Sequence, residues 1–385
     1  ELLGNQEYQT ALFGANGYIS TETGLTRGFD HVDSPVLRKH HFTECNSQSV
    51  DAAKAALQSI RQTTNFSIER ILANIKRADN FLAHRVQRYI KNQSHTQIPF
   101  FAYAHIPSPH HQYEPVNWYK DQFLRDTSMS NEEAERLCQY IYDGGSEQIK
   151  THMANGLDVS GDEWRAIKGL YDAEIRHVDD VVQRIVTTAE SASDGPLIAI
   201  IVGDHGDLFG ERGLIGHNLV LHDGLTVVPG IVLGIDNIRE DNQTISQHID
   251  LSYTVAKLTD TLTDQFEGRD LRDAKRTYAI SQRGVAHLDA YTKHNSNFDI
   301  TQFFKAPFTA VRTHTHKLLH NDTKTVLYET HSENNPTDID SHSGTVFELI
   351  DVIKTEDITW KKSTEEQFEY DRETADRLRE LGYLT

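Results

Sequence analysis

Between Ile201 and Asn218 the chain reads IVGDHGDLFGERGLIGHN, eighteen residues with two Asp, one Glu, two His and five Gly directly behind an apolar run. Carboxylate and imidazole at this density are the donors of divalent-cation sites. Oxygen donors favour calcium, magnesium or manganese, and imidazole shifts the preference toward manganese or zinc. Imidazole also exchanges protons near neutral pH. Asp204 and His205 at the start of the stretch and His217 near its end are thus candidate ligands or proton carriers, and FFAYAHIPSPHHQYEP adds His105 and His110. Each has a plainer alternative when read alone. GDHG also describes a tight turn in which Asp204 caps a helix and His205 packs, and His110 also reads as a solvated loop histidine. His217 stands between the two readings, because a flanking glycine marks close approach to the backbone. Asp207 and Glu211 read as solvated or salt-bridged loop acids, and the histidines of THTHKLLH, 313–320, as surface residues alternating along a strand.

These side chains need elements to hold them. PLIAIIV, Pro196–Val202, is short, branched-aliphatic and without alternation, which predicts a strand buried on both faces of a parallel sheet. The carboxyl ends of such strands face the functional crevice of an open α/β sheet. IPFFAYAHI, Ile98–Ile106, predicts a second buried strand ending in the turn-prone PSPHHQYEP. Helical spacing runs through VDAAKAALQSI, FSIERILANIKRADNFLAHRVQRYI, Trp164–Val186 and HIDLSYTVAKLTD, while VVPGIVLG, Val227–Gly234, predicts another strand. The opening residues read as the last turn of a helix followed by a strand, TALFGA. After about Arg276 the strand-like pieces TYAISQRG, FTAVRTHTHKLLHND and TKTVLYETH predict an antiparallel meander, and EEQFEYDRETADRLRELGYLT a terminal helix. The expected organisation is an α/β domain over residues 1–275 and a smaller C-terminal α+β subdomain over 276–385.

Composition narrows the function. A net charge of −19, from 57 acidic against 38 basic residues, opposes a nucleic-acid partner because phosphates would be repelled. It fits either an ordinary acidic protein or one adapted to concentrated salt, where charges are screened. The two cysteines, Cys45 and Cys138, build neither a disulfide framework nor a cysteine zinc site, although a single bridge is open to them. No apolar run approaches the ~20 residues of a membrane-spanning helix.

Taken together, LYDAEIRHVDDVVQRI, then IAIIVGDHGDLFGERGLIGHN, then LTVVPGIVLG resemble the sulfatase family of the alkaline phosphatase superfamily. FFAYAHIPSPHHQYEP resembles that family's strand and loop ending in Pro-His-x-x-Tyr, and YQTALFGANGYIS with GLTRGFDHV its segment after the nucleophile helix. TAVRTHTHKLLHND, TVLYET and DRLRELGYL resemble its C-terminal part. The resemblance implies an alkaline-phosphatase-like α/β fold, a mostly parallel sheet sandwiched by helices with an antiparallel α+β subdomain. It implies that Asp204 and His205 bind a divalent cation, commonly calcium, with magnesium or manganese as alternatives. His110 would contact the sulfate or ester oxygen, with His105 beside it, and His217 would stabilise or protonate the leaving group. Two departures from the pattern are visible. Ala15 and Gly17 stand where many members have the Lys and His of GKWH, and the Cys/Ser-x-Pro-x-Arg motif that yields the formylglycine nucleophile is not in these residues, nor is the preceding paired Asp. The expectation is a chain lacking its nucleophile segment, whose parent activity is hydrolysis of a small sulfate ester. A phosphonate or phosphate ester hydrolase and a catalytically dead binding protein are the alternatives.

Overall fold

The structure is a computed structural model, describing residues 2–14, 19, 23–33, 78–193, 195–238, 244–273, 276–330 and 332–358. It divides into two compact units. Among the described residues the first runs up to Gln148 and includes Asp158–Leu197, and the second comprises Ile149–Leu157 and the chain from Ile198 to residue 358. The expected helix at 50–60, the terminal helix after 364, and Ala15, Gly17 and Cys45 lie outside the described residues.

In the first unit three parallel strands run in the order β2-β1-β3: β1 Gln9–Gly14, β2 His31–Asp33 and β3 Phe100–His105. β1 lies in the middle, so its Ala11, Leu12 and Phe13 are all buried. Ala11 and Phe13, two apart and therefore on one face, pack against α1, Ala78–Gln93, through Leu82, Val86 and Ile90 at helical spacing. The described half of the expected helix ending at Ile90 is this element. Ala189 of α4, Gly161–Ala192, closes the same cluster. α4 begins in a capping box, in which Ser160 Oγ accepts from Glu163 N while the Glu163 carboxylate accepts from Ser160 N. Those bonds to Ser160, the backbone one foremost, hold the Glu163 carboxyl below its ordinary value. Two shorter helices, α2 Asn117–Phe123 and α3 Asn131–Tyr142, pack along α4.

The second unit departs from expectation at its first strand. β4, Ala199–Val202, does not join a parallel sheet among the described residues; it pairs antiparallel with β7, Gly230–Leu233, with Ile200 opposite Val232. Nor is it buried on both faces, since its Val202 is 40% exposed, as is 54% of Ile231 on the partner strand β7. A short apolar run fixes extended backbone but not strand direction. Direction is set here by the chain between the two strands, which makes the tight hairpin of β5 Leu208–Phe209 and β6 Ile215–Gly216 and then the short helix α5 Asp223–Thr226.

The expected meander is present as four antiparallel strands in the order β11-β10-β9-β8: β8 Ala279–Arg283, β9 Phe308–Arg312, β10 His316–Asn321 and β11 Lys324–Glu329. Adjacent residues divide between its faces. Val311, Leu318 and Leu327 meet Leu349 of α7, Ser343–Thr355, whereas Ala310, Leu319 and Tyr328 meet Phe304, Phe308 and Leu221. Each large side chain so enclosed contributes roughly 1.5–3 kcal/mol. Because Leu221 follows closely on His217, the sheet is a platform for the loop that carries it. Between the hairpin and the meander lies α6, His248–Leu258. Among the described residues no helix is long and apolar enough to cross a membrane.

Candidate active site

The turn behind β4 is clamped by its neighbours in the second unit. Gly203 N donates to Pro229 O at 3.1 Å, His248 Nε2 donates to Gly203 O at 2.7 Å, and Gly206 N donates to Leu225 O at 3.0 Å. A Cβ at Gly206 would overlap the carbonyl oxygen of Gly224, so only glycine lets the turn lie this close to α5. Gly206→Ala should therefore cost about 1–3 kcal/mol by displacing backbone from backbone. Urea unfolding measures this, and an unchanged midpoint would contradict it. Within the turn the Asp204 carboxylate accepts from His205 N at 2.9 Å and its side chain remains 70% exposed.

The β5–β6 hairpin folds the chain back on this turn. Leu208, Leu214 and Ile215 anchor it in the interior, and Gly210 and Gly213 take the left-handed conformations its tip requires. His217 is thereby brought to His205, with ring centroids 4.4 Å apart, and to Asp207, whose Oδ1 accepts from His217 Nδ1 at 2.9 Å. Both partners of that pair are enclosed. His205 Nδ1 in turn donates to Gly206 O at 2.9 Å. Each imidazole thus carries its Nδ1 proton to a fixed acceptor, which sets the tautomer and directs acid–base or ligand chemistry to Nε2.

Beneath the loop lies a buried ionic cluster. Lys317 Nζ donates to Asp223 Oδ1 at 2.9 Å and to Glu333 Oε1 at 3.2 Å, Arg312 Nε donates to both Asp223 oxygens, and Asp223 N donates to Glu333 Oε1. Burial alone would push the Asp223 carboxyl up, but the Lys317 charge and the hydrogen bonds from Lys317 and Arg312 outweigh it, and the carboxyl lies below its usual value. Glu333 lies above its usual value, chiefly through burial. The cluster ties β9 and β10 to the start of α5.

His105 and His110 belong to the first unit. His105 ends β3 opposite Gly14 of β1. His110 stands in the following loop, where its Nδ1 donates to His111 O at 2.7 Å and its ring lies 4.2 Å from that of His111. The loop is held from both sides. Buried Asp79 of α1 accepts from Ser108 Oγ at 2.8 Å and lies 3.4 Å from His177 of α4, while Tyr113 is enclosed between Tyr142 and Tyr171. His111 stacks on Tyr142.

The structure thus joins His205 and His217, puts Asp204 at the same turn, and adds Asp207, which reads in the sequence as an ordinary loop acid. Its spacing of ten residues from His217 across a glycine-rich hairpin was the only local signal. His111 and Asp79 had none beyond residue type. Cys138 is buried, which pushes its thiol up to about 12, so it is no nucleophile near neutral pH.

A cation fits these donors. Ligand atoms of His205, Asp207 and His217 lie within 4.8 Å of one another, a spacing that can hold a metal ion, and the Asp204 carboxylate opens to solvent beside them. The chain belongs to the sulfatase family: that family's model matches residues 1–261. It is 24% identical over 210 residues to the uncharacterized sulfatase YidJ of Escherichia coli K12, an alignment covering 50% of this chain and 39% of that protein, so it spans well under half the length of that relative. Among solved structures it resembles the phosphonate monoester hydrolase SpPMH from Silicibacter pomeroyi, with a TM-score of 0.59 at 12% identity over 92% of this chain and 77% of that one. A structure solved with its substrate D-glucosamine-2-N,6-O-disulfate gives a TM-score of 0.52 at 14% identity, covering 92% and 72%. At these identities the structures share the fold.

Proposed function

We propose that the chain forms the catalytic part, residues 1–275, and the C-terminal subdomain, 276–385, of a metal-dependent hydrolase acting on a small sulfate ester. The observation that carries this reading is the His217–Asp207 pair set beside His205 at the end of β4, in a member of the sulfatase family. With Nδ1 committed to Asp207, a protonated His217 presents Nε2–H to a leaving oxygen, the role a positioned imidazole performs near neutral pH. Asp204 and His205 hold the divalent cation, calcium by family expectation. When bound, it neutralises charge on the sulfuryl oxygens. His110 and His105 keep the substrate contacts that the resemblance gives them.

A phosphonate or phosphate ester hydrolase is the second reading, supported by the fold shared with a phosphonate monoester hydrolase. Turnover by the full-length protein of aryl, sugar and choline sulfates, beside phosphonate monoesters and phosphate diesters, separates the two. The expected result is a higher kcat/KM for a sulfate ester, abolished by chelation and restored by added calcium. A higher value for a phosphonate, or turnover indifferent to chelation, would overturn the proposal.

A further inference from the structure

Arg283 ends β8 opposite Phe308, and among the described residues its charge has no counterpart. Its Nε is shut away from solvent with no hydrogen-bond partner, and among the described residues no carboxylate lies within ion-pair distance of the guanidinium. The contrast within the chain is plain. Arg85 pairs with Asp33, Arg272 with Asp270, Arg276 with Asp250 and Arg312 with Asp223. In a protein with 57 acidic residues a half-buried guanidinium without one is costly, since desolvation is not repaid by attraction. Burial accordingly draws Arg283 below its ordinary value, opposed by Tyr291.

Its neighbour Tyr291 belongs to an aromatic stack. Tyr291 is buried and stacks on Phe298 at 5.3 Å, and Phe298 stacks on Phe303 at 5.6 Å, over which Arg212 of the His217 hairpin lies. Asp299 of this aromatic segment accepts from Thr301 N and Oγ1.

We propose that Arg283 is the core of an oxyanion-binding site separate from the Asp204–His217 loop, taking a sulfate, phosphate or carboxylate group. The planar fork of a guanidinium matches two oxygens of such a group, and the missing partner charge is what the anion would supply. The site requires no hydrolytic activity of the protein.

The test is sulfate binding by calorimetry, at low ionic strength, to the wild type and to Arg283→Met, Arg283→Lys and His217→Ala. Arg283→Met should weaken one sulfate-binding event at least tenfold, Arg283→Lys less, and His217→Ala should leave that event unchanged. Without sulfate, Arg283→Met should melt at or above the wild-type temperature, because it removes an uncompensated charge while keeping an apolar stem. Acetate and a disulfated monosaccharide serve as further probes. An equal loss for free sulfate and the sugar assigns a free-ion site, and a larger loss for the sugar assigns a group borne by a larger ligand. Unchanged sulfate binding in Arg283→Met, or a melting temperature several degrees lower in the absence of anion, would overturn the site.

Discussion

Lys317→Met should destabilise the protein by about 3–5 kcal/mol at neutral pH, one of the largest effects expected of any single substitution in the second unit. Lys317 is 1% exposed and is the cation shared by Asp223 and Glu333. Methionine preserves the apolar stem, so little packing is lost and the change isolates the charge. Arg312 remains to hold Asp223, and the uncompensated group is therefore Glu333. Burial and the neighbouring Asp223 charge already raise Glu333 while Lys317 is present. Without the lysine its folded value must rise further.

A carboxyl whose folded value exceeds its unfolded one contributes stability below the unfolded value, and that contribution is lost as pH rises through the folded value. The deficit of Lys317→Met should thus be widest at neutral pH and should narrow on acidification toward about pH 5 as Glu333 takes up a proton. Urea unfolding at the two pH values measures both effects. A deficit under about 1 kcal/mol, or one that widens on acidification, would show that the cluster is not held by this charge.

That same lysine marks a limit of sequence reading. Period-of-three-and-four spacing located α1, α4 and α6, and turn residues located the β10–β11 hairpin, because those signals lie within one element. Lys317 sits in THTHKLLH, which reads as an exposed strand, and its burial depends on carboxylates 94 and 16 residues away in the chain. Asp207 escaped for a related reason. Nothing about a loop aspartate reveals enclosure until the hairpin closes and brings His217 to it. β4 shows a different failure: the apolar run marked a strand, but pairing direction belongs to the connection, here a hairpin and a short helix that return the chain as β7, antiparallel to β4. The candidate site was legible where residue type alone implies chemistry, as at Asp204, His205 and His217, and illegible where it depends on a partner.

The dependence of His217 on its partner yields the second large effect. In the full-length protein His217→Ala should lower turnover of an alkyl sulfate by roughly 10²–10⁴-fold, because a poor leaving group needs a proton as its bond to sulfur breaks. For a nitrophenyl sulfate the loss should be much smaller, since that oxygen departs as a stable anion. Asp207→Asn keeps the shape and a hydrogen-bonding group but removes the carboxylate that fixes the Nδ1 proton of His217. Its effect should fall between wild type and His217→Ala on the alkyl ester, with kcat reduced more than KM is raised. Folding should survive both changes, because the hairpin is anchored by Leu208, Leu214 and Ile215 rather than by the imidazole. Thermal melting beside the kinetics checks this. The decisive quantity is the difference between the two esters: equal losses for nitrophenyl and alkyl sulfates would mean that His217 positions the substrate or the cation, and the acid would have to be sought elsewhere.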